Sequence, residues 1–114
     1  MTLSINILEG KKNQYLIVRM IGRLDTITSP QAEKTLFDLI SSGEHHVLLN
    51  LDGLDYISSA GVKLLLIAAK MLQDNAGNLV LCSPNISVQQ VLAISGVTQI
   101  VRFSTTEDDA LSEP

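Results

Sequence analysis

Val47-Leu48-Leu49-Asn50-Leu51, then Leu54 to Ile57, then Ser58-Ser59-Ala60-Gly61, then Val62 to Leu72: this run decides the fold. Its first five residues are apolar with one break. A strand wetted on one face alternates apolar and polar residues, whereas a nearly continuous apolar strand is covered on both faces, as in a parallel sheet. From Val62 the pattern changes period. Val62, Leu65, Leu66, Ala69 and Leu72 recur at helical spacing. Leu64, Ile67, Ala68 and Met71 widen that stripe nearly all round, so the helix is expected to be covered on more than one side. Between strand and helix lies a turn of small, hydroxyl-bearing residues. Such a turn leaves free backbone N–H groups at the positive end of the helix. It also puts a serine hydroxyl where charge can be added or received.

Working outward, Ile5 and Ile7 alternate with polar neighbours, Gly10-Lys11-Lys12-Asn13 reads as a turn, and Tyr15 to Ile21 is apolar and partly β-branched. Together they predict a hairpin. Ser29-Pro30 reads as an N-cap followed by proline at the first helical position, with Ala32, Leu36, Leu39 and Ile40 at helical spacing and Gly43 as the stop. Asp52-Gly53 reads as a turn. Asn75 and Gly77 end the second helix, and Leu79 to Cys82 is a further buried strand. Val88, Val91 and Leu92 mark a short helix closed by Gly96, Ile100 to Phe103 a last strand, and Thr106 the capped start of a final short helix. The acidic end, Glu107 to Pro114, is expected to fray. The order is therefore ββαβαβαβα: an α/β fold with a mostly parallel central sheet packed with helices. One domain over residues 1–114 is expected, with its core from about residue 5 to residue 111.

Composition excludes several classes of function. Apolar residues make up 46% of 114, enough for one globular core without metal or disulfide. Aromatic residues are only 4% and the net charge is −4, with no basic block. Direct nucleic-acid binding and anionic-membrane binding are therefore not expected. A single cysteine, Cys82, cannot form an internal disulfide, and its apolar surroundings make it an inert core thiol. No signal peptide is visible at Met1-Thr2-Leu3-Ser4, and Val62 to Leu72 is too short and too charged to span a bilayer. The expected location is the cytoplasm.

Catalytic signatures are missing. There is no phosphate-binding glycine loop of the G-x-x-x-x-G-K-[ST] or G-x-G-x-x-G kind, and no G-x-S-x-G elbow around Ser59. His45-His46 lacks the spacing of a metal site and reads as surface loop. These histidines precede the strand while Ser59 follows it, so neither serves Ser59 as a base. The chain is expected to be no enzyme and to need no cofactor or metal. Taken alone, a serine before a helix has two readings. It caps the helix, Ser58 being the better cap if the helix starts at Ser59, or it carries chemistry. Asp25, after a strand end, is equally an ordinary loop acid.

The joint pattern of Gly22-Arg23-Leu24-Asp25, Leu49 to Val62, Gly77-Asn78-Leu79-Val80-Leu81-Cys82 and Ile94-Ser95-Gly96-Val97 resembles the STAS domain family, specifically the bacterial anti-sigma-factor antagonists. The resemblance runs from Ile5 to about Leu111. It implies a partner-switching regulator of sigma-factor-dependent transcription. Unphosphorylated, such a protein binds an anti-sigma factor that is also a serine kinase; phosphorylated on its serine, it lets go, and a phosphatase restores it. Carried over, the modified residue is Ser59, followed by Ala60 and Gly61. Asp25 matches the family's acid before the first helix and is implied in meeting the kinase. Partner binding is thus expected at Asp25, Ser58, Ser59, Ala60 and Gly61. Ser58 stands where the family usually has aspartate. The alternative within the same fold is an unphosphorylated sensory or scaffold module in which Ser59 is only a helix cap.

Overall fold

In the computed structural model, which describes residues 2–8 and 10–112, five strands form one sheet in the spatial order of the chain. They are β1 (Leu3–Ile7), β2 (Leu16–Leu24), β3 (His46–Ile57), β4 (Asn78–Cys82) and β5 (Arg102–Ser104). The β1–β2 pair is antiparallel, a hairpin; β2–β3, β3–β4 and β4–β5 are parallel. Helices α1 (Ser29–Ser41), α2 (Ser59–Asp74), α3 (Ile86–Ser95) and α4 (Val97–Ile100) make the parallel connections, and α5 (Glu107–Ser112) follows the last strand. The expected α/β fold with a mostly parallel sheet is present.

Side-chain alternation explains why β3 is apolar without pause. Val47, Leu49 and Leu51 enter the main core beneath the helices, with Val18, Met20, Leu24, Leu65, Leu72 and Leu92. Leu48 points to the other face, where it meets Ile17, Val80, Cys82 and Ala110. Both faces are covered at the centre of the sheet, so no position there favours a polar side chain. Asn50 is the exception. Its amide donates to Glu107 Oε2 at 2.6 Å, and its carbonyl oxygen accepts the Asp52 N–H.

Four sequence expectations change. Asp52-Gly53 is no turn but lies inside the twelve-residue β3, which continues to Ile57. The pairing of β2 with β3 is irregular here, and a Cβ on Gly53 would stand 2.7 Å from Ile21 Cγ1, so glycine is selected by close approach rather than by a reversal of the chain. Second, the cap of α1 is Thr28, without a side-chain bond to the helix; Ser29 is already helical and Pro30 sits within the first turn. Third, the segment before the last strand forms the short α4, so the order is ββαβαβααβα and β5 begins at Arg102. Fourth, the acidic segment through Ser112 is docked rather than frayed. Ala110 is buried, Arg102 donates to the Ala110 carbonyl, and Arg19 and Asn50 hold Glu107. Glu113 and Pro114 lie outside the described residues.

Candidate functional site at the strand-to-helix turn

The carboxyl ends of β2 and β3 deliver two loops to one edge of the sheet. The Ser58 N–H donates to the Leu24 carbonyl at 2.9 Å, which ties the start of α2 to the residue before Asp25. Ser58 has extended backbone, and its hydroxyl accepts the Gly61 N–H at 3.3 Å. It is the N-cap of α2. Ser59 is thus the first helical residue and is exposed. Among the described residues its hydroxyl has no hydrogen-bond partner, so the cap reading for Ser59 itself falls away.

Gly61 is buried, and its requirement is steric. A Cβ there would lie 2.8 Å from Leu24 Cγ and 2.9 Å from Ile57 Cγ1. The first turn of α2 rests directly on the ends of β2 and β3, which holds the serine turn against the rigid sheet. Ala60 is half-buried at the same turn.

Asp25 reaches this edge, but its carboxylate turns into its own loop. Oδ1 accepts N–H bonds from Ile27 at 2.9 Å and Thr28 at 3.0 Å, and Oδ2 lies 3.7 Å from Arg23 Nε. The Thr28 hydroxyl completes the loop by accepting the Asp25 N–H and donating to the Arg23 carbonyl. The Thr28 N–H bond foremost, with the other loop donors and Arg23, holds the Asp25 carboxyl below its ordinary value against the opposing effect of desolvation. Asp25 is therefore a shaper of the loop. What that loop presents is Ile27, 83% exposed.

Three further groups stand at this edge that the sequence did not single out. Ile27 has no periodic pattern to mark it. Tyr56 is 41% exposed and carries the Arg23 guanidinium 4.2 Å above its ring. Lys63 is exposed one turn beyond Ser59 and helps line a groove of about 330 Å³ with Thr26, Pro30, Glu33, Ala60 and Ile67. The groove runs between the starts of α1 and α2. The only signal in the sequence was the i,i+4 spacing of Ser59 and Lys63, visible once a helix is assumed.

The histidines are at the other end of β3. His46 begins that strand rather than lying in a loop; its Nδ1 is 2.7 Å from Asn78 Oδ1 and its ring meets Tyr15 edge-on. His45 is exposed. Neither approaches Ser59. Among the described residues no cluster of histidine, cysteine and carboxylate side chains is arranged to hold a metal. Cys82 is fully buried, and burial pushes its thiol up to about 11. No helix among the described residues is long and apolar enough to cross a membrane.

The STAS domain family model matches residues 6–110. A Bordetella bronchiseptica protein provisionally named anti-sigma factor antagonist BtrV is 36% identical over 100 residues, covering 88% of this chain and 86% of that protein. The anti-sigma F factor antagonist of Paenibacillus polymyxa is 30% identical over 99 residues, covering 86% and 85%. Among solved structures, the Bacillus anti-sigma factor antagonist SpoIIAA shares the fold in both its unphosphorylated and its phosphorylated form. Each superposes with a TM-score of 0.70, at 22% and 24% identity; 94% of this chain is covered in both cases, against 94% and 96% of the SpoIIAA chain.

Proposed function

The chain belongs to the STAS domain family, and from that premise we propose that it is an anti-sigma-factor antagonist switched by phosphorylation of Ser59. In the unmodified state the edge formed by Ile27, Ser58, Ser59, Ala60 and the neighbouring groove docks on an anti-sigma factor with serine-kinase activity. That kinase transfers the γ-phosphoryl group of ATP to Ser59 Oγ. A serine phosphatase reverses the step. The protein works as a binding regulator and contributes no catalytic group.

One observation carries this reading: Ser58 caps α2 and thereby leaves the Ser59 hydroxyl exposed and unbonded on the first turn. A kinase needs such access, and a purely structural serine does not provide it. The same division of labour accounts for the serine that stands where the family usually has aspartate: Ser58 keeps the capping function. The Bordetella and Paenibacillus relatives, named for anti-sigma-factor antagonism, support the partner class.

The switch follows from charge. A phosphate adds about −1.5 to −2 charges at neutral pH. On this turn it meets the free N–H groups of α2, with Lys63 one turn away. Anions at a helix N-terminus gain about 0.3–1 kcal/mol, so the fold tolerates the group. A partner surface shaped around a hydroxyl does not, because the dianion must be desolvated against it. Hundredfold weakening requires about 2.7 kcal/mol, within reach of one charge at an interface.

The test uses the cognate kinase with ATP, phosphopeptide mass spectrometry, and direct binding. Phosphate on Ser59 alone is expected. Ser59→Ala keeps the kinase bound but takes up no phosphate, and Ser59→Asp loses about a hundredfold in affinity, the ~2.7 kcal/mol above. Equal affinity of the two variants, or phosphate on another residue, overturns the proposal.

A further inference from the structure

The four most exposed isoleucines among the described residues are Ile27, Ile86, Ile94 and Ile100. Ile86, Ile94 and Ile100 lie on α3 and α4, helices without a charged residue. Ile27 alone of the four lies in a loop, and that loop shares a groove with the serine turn. Thr26, which precedes Ile27, and Ala60, which follows Ser59, line the same groove. The Ser58 N–H bond to the Leu24 carbonyl holds its two lips together. A protein seated over Ser59 therefore covers this groove and meets Ile27 at its rim. Single exposed isoleucines are ordinary; this one is set apart by how it is held. It stands just before the cap Thr28, from where an apolar side chain often folds back onto the fourth residue of the helix. Here that residue is the buried Ala32, and with Ile27 83% exposed the staple is not made.

The loop gives Ile27 little freedom to retreat. Its N–H donates to Asp25 Oδ1 at 2.9 Å, and the Thr28 N–H donates to the same oxygen at 3.0 Å. The Thr28 side chain is buried; its hydroxyl donates to the Arg23 carbonyl at 2.7 Å and accepts the Asp25 N–H at 2.9 Å. Beyond it, the Ser29 N–H and hydroxyl both donate to the Asp25 carbonyl, at 2.8 and 2.6 Å. The backbone on either side of Ile27 is thus tied down, and a β-branched side chain is itself stiff at its first torsion. An apolar group presented this way loses little entropy when a partner covers it, and covering it takes nearly its whole surface out of water. Charge beside it is already balanced. Arg23 Nε lies 3.7 Å from Asp25 Oδ2, and Thr26 and Thr28 carry none. A charged group of a partner would find no answering charge on this loop.

On the proposed reading of Ser59 as the kinase's substrate, we infer that Ile27 is the apolar anchor that seats the chain on that kinase, filling an uncharged apolar socket, and that Asp25 is a positioning residue acting through Ile27 rather than a charge that meets the kinase. Affinity and chemistry then belong to different lips of one groove. Ile27 supplies binding that is the same before and during phosphoryl transfer; Ser59 supplies the hydroxyl that reacts. Binding of that uniform kind lowers KM and leaves kcat alone.

Equilibrium binding of the full chain to the cognate kinase without ATP, and steady-state phosphorylation of Ser59 with it, read the result. Ile27→Ala is expected to raise Kd and KM by about tenfold or more, with kcat kept within about twofold. Ile27→Asp, which brings a charge to an apolar socket, should cost about a hundredfold in affinity. The side chain already stands in water, so neither variant should move the thermal melt, and the loss is not one of folding. Asp25→Ala releases the Ile27 and Thr28 N–H groups. It should raise KM by about tenfold, yet by less than about threefold on the Ile27→Ala background, because both changes remove one contact. Asp25→Asn keeps an acceptor oxygen for both N–H groups and should recover affinity to within about threefold of the parent. Equal binding by Ile27→Asp and the parent overturns the anchor and leaves the Ser59 switch standing. Additive losses from the two alanine variants, or an Asp25→Asn as weak as Asp25→Ala, make the Asp25 carboxylate a direct contact and overturn its positioning role. Binding that depends on Ile27 while Ser59 takes up no phosphate overturns the switch and leaves the anchor standing. A parent chain that binds no such kinase overturns both.

Discussion

The carboxyl edge of the sheet and its α5-covered face use polar residues in opposite ways. On the covered face the long polar side chains find partners, while the buried Ser104 hydroxyl has none among the described residues. Asn50 donates to Glu107, Arg19 pairs with Glu107 at 3.2 Å, and Arg102 donates to the Ala110 carbonyl. At the carboxyl edge Asp25 and Ser58 spend their bonds on their own loops, and Ser59 is left with none. Polar residues serve stability on the covered face; at the edge, on the proposed function, they serve presentation. Changes on the covered face should move stability without moving partner binding. Changes at the edge should move binding, and move stability only where the backbone itself is touched.

Gly61 is where the two roles meet, and it should give the largest effect. A side chain there collides with Leu24 and Ile57. Gly61→Val is expected to cost about 1–3 kcal/mol by overpacking and also to displace the serine turn, so urea melts and kinase binding should both suffer. If stability falls while affinity is kept, the first turn of α2 is not held by this contact.

Glu107→Gln tests the covered face. Desolvation pushes the Glu107 carboxyl up, but the Asn50 and Arg19 bonds outweigh it and leave the group below its ordinary value of 4.5. A depressed carboxyl contributes stability above its unfolded-state value, and that contribution drains away as the pH falls through the folded one. The variant should lose about 1–2 kcal/mol near pH 7, with the gap to the parent closing as the pH falls below 4.5 and through the lowered folded-state value. Kinase affinity should be unchanged. A pH-independent gap would show that Glu107 acts through packing rather than charge.

Lys63→Glu gives the smallest effect and sharpens the edge side of the comparison. One turn from Ser59, the lysine should favour the phosphorylated state by about 0.3–0.5 kcal/mol. Thermal melts of the modified and unmodified forms of both proteins would read it as a coupling. The variant should destabilise the phosphorylated form more than the unmodified one, and equal shifts would place Lys63 out of reach.

Much of this was readable from residues alone. The apolar Val47 to Leu51 run implied a strand covered twice, and the serine turn implied a helix beginning at its end. Even the assignment of the cap to Ser58 was available from position. The errors came where local chemistry and tertiary packing disagree. Asp52-Gly53 has the composition of a turn, but Gly53 answers to Ile21 across the sheet. Glu107 to Ser112 has the composition of a solvated tail, but Ala110 and the Glu107 bonds dock it.

Sequence by itself determined the layers, because hydrophobic period is a property of neighbours along the chain. It also located the hydroxyl, because a helix start is signalled within a few residues. Tertiary structure alone decided which groups remain free: that Asp25 is consumed by its loop, that Ile27 projects, and that α3 turns an uncharged face outward. Exposure depends on what other segments cover, and no stretch of chain contains that information about itself.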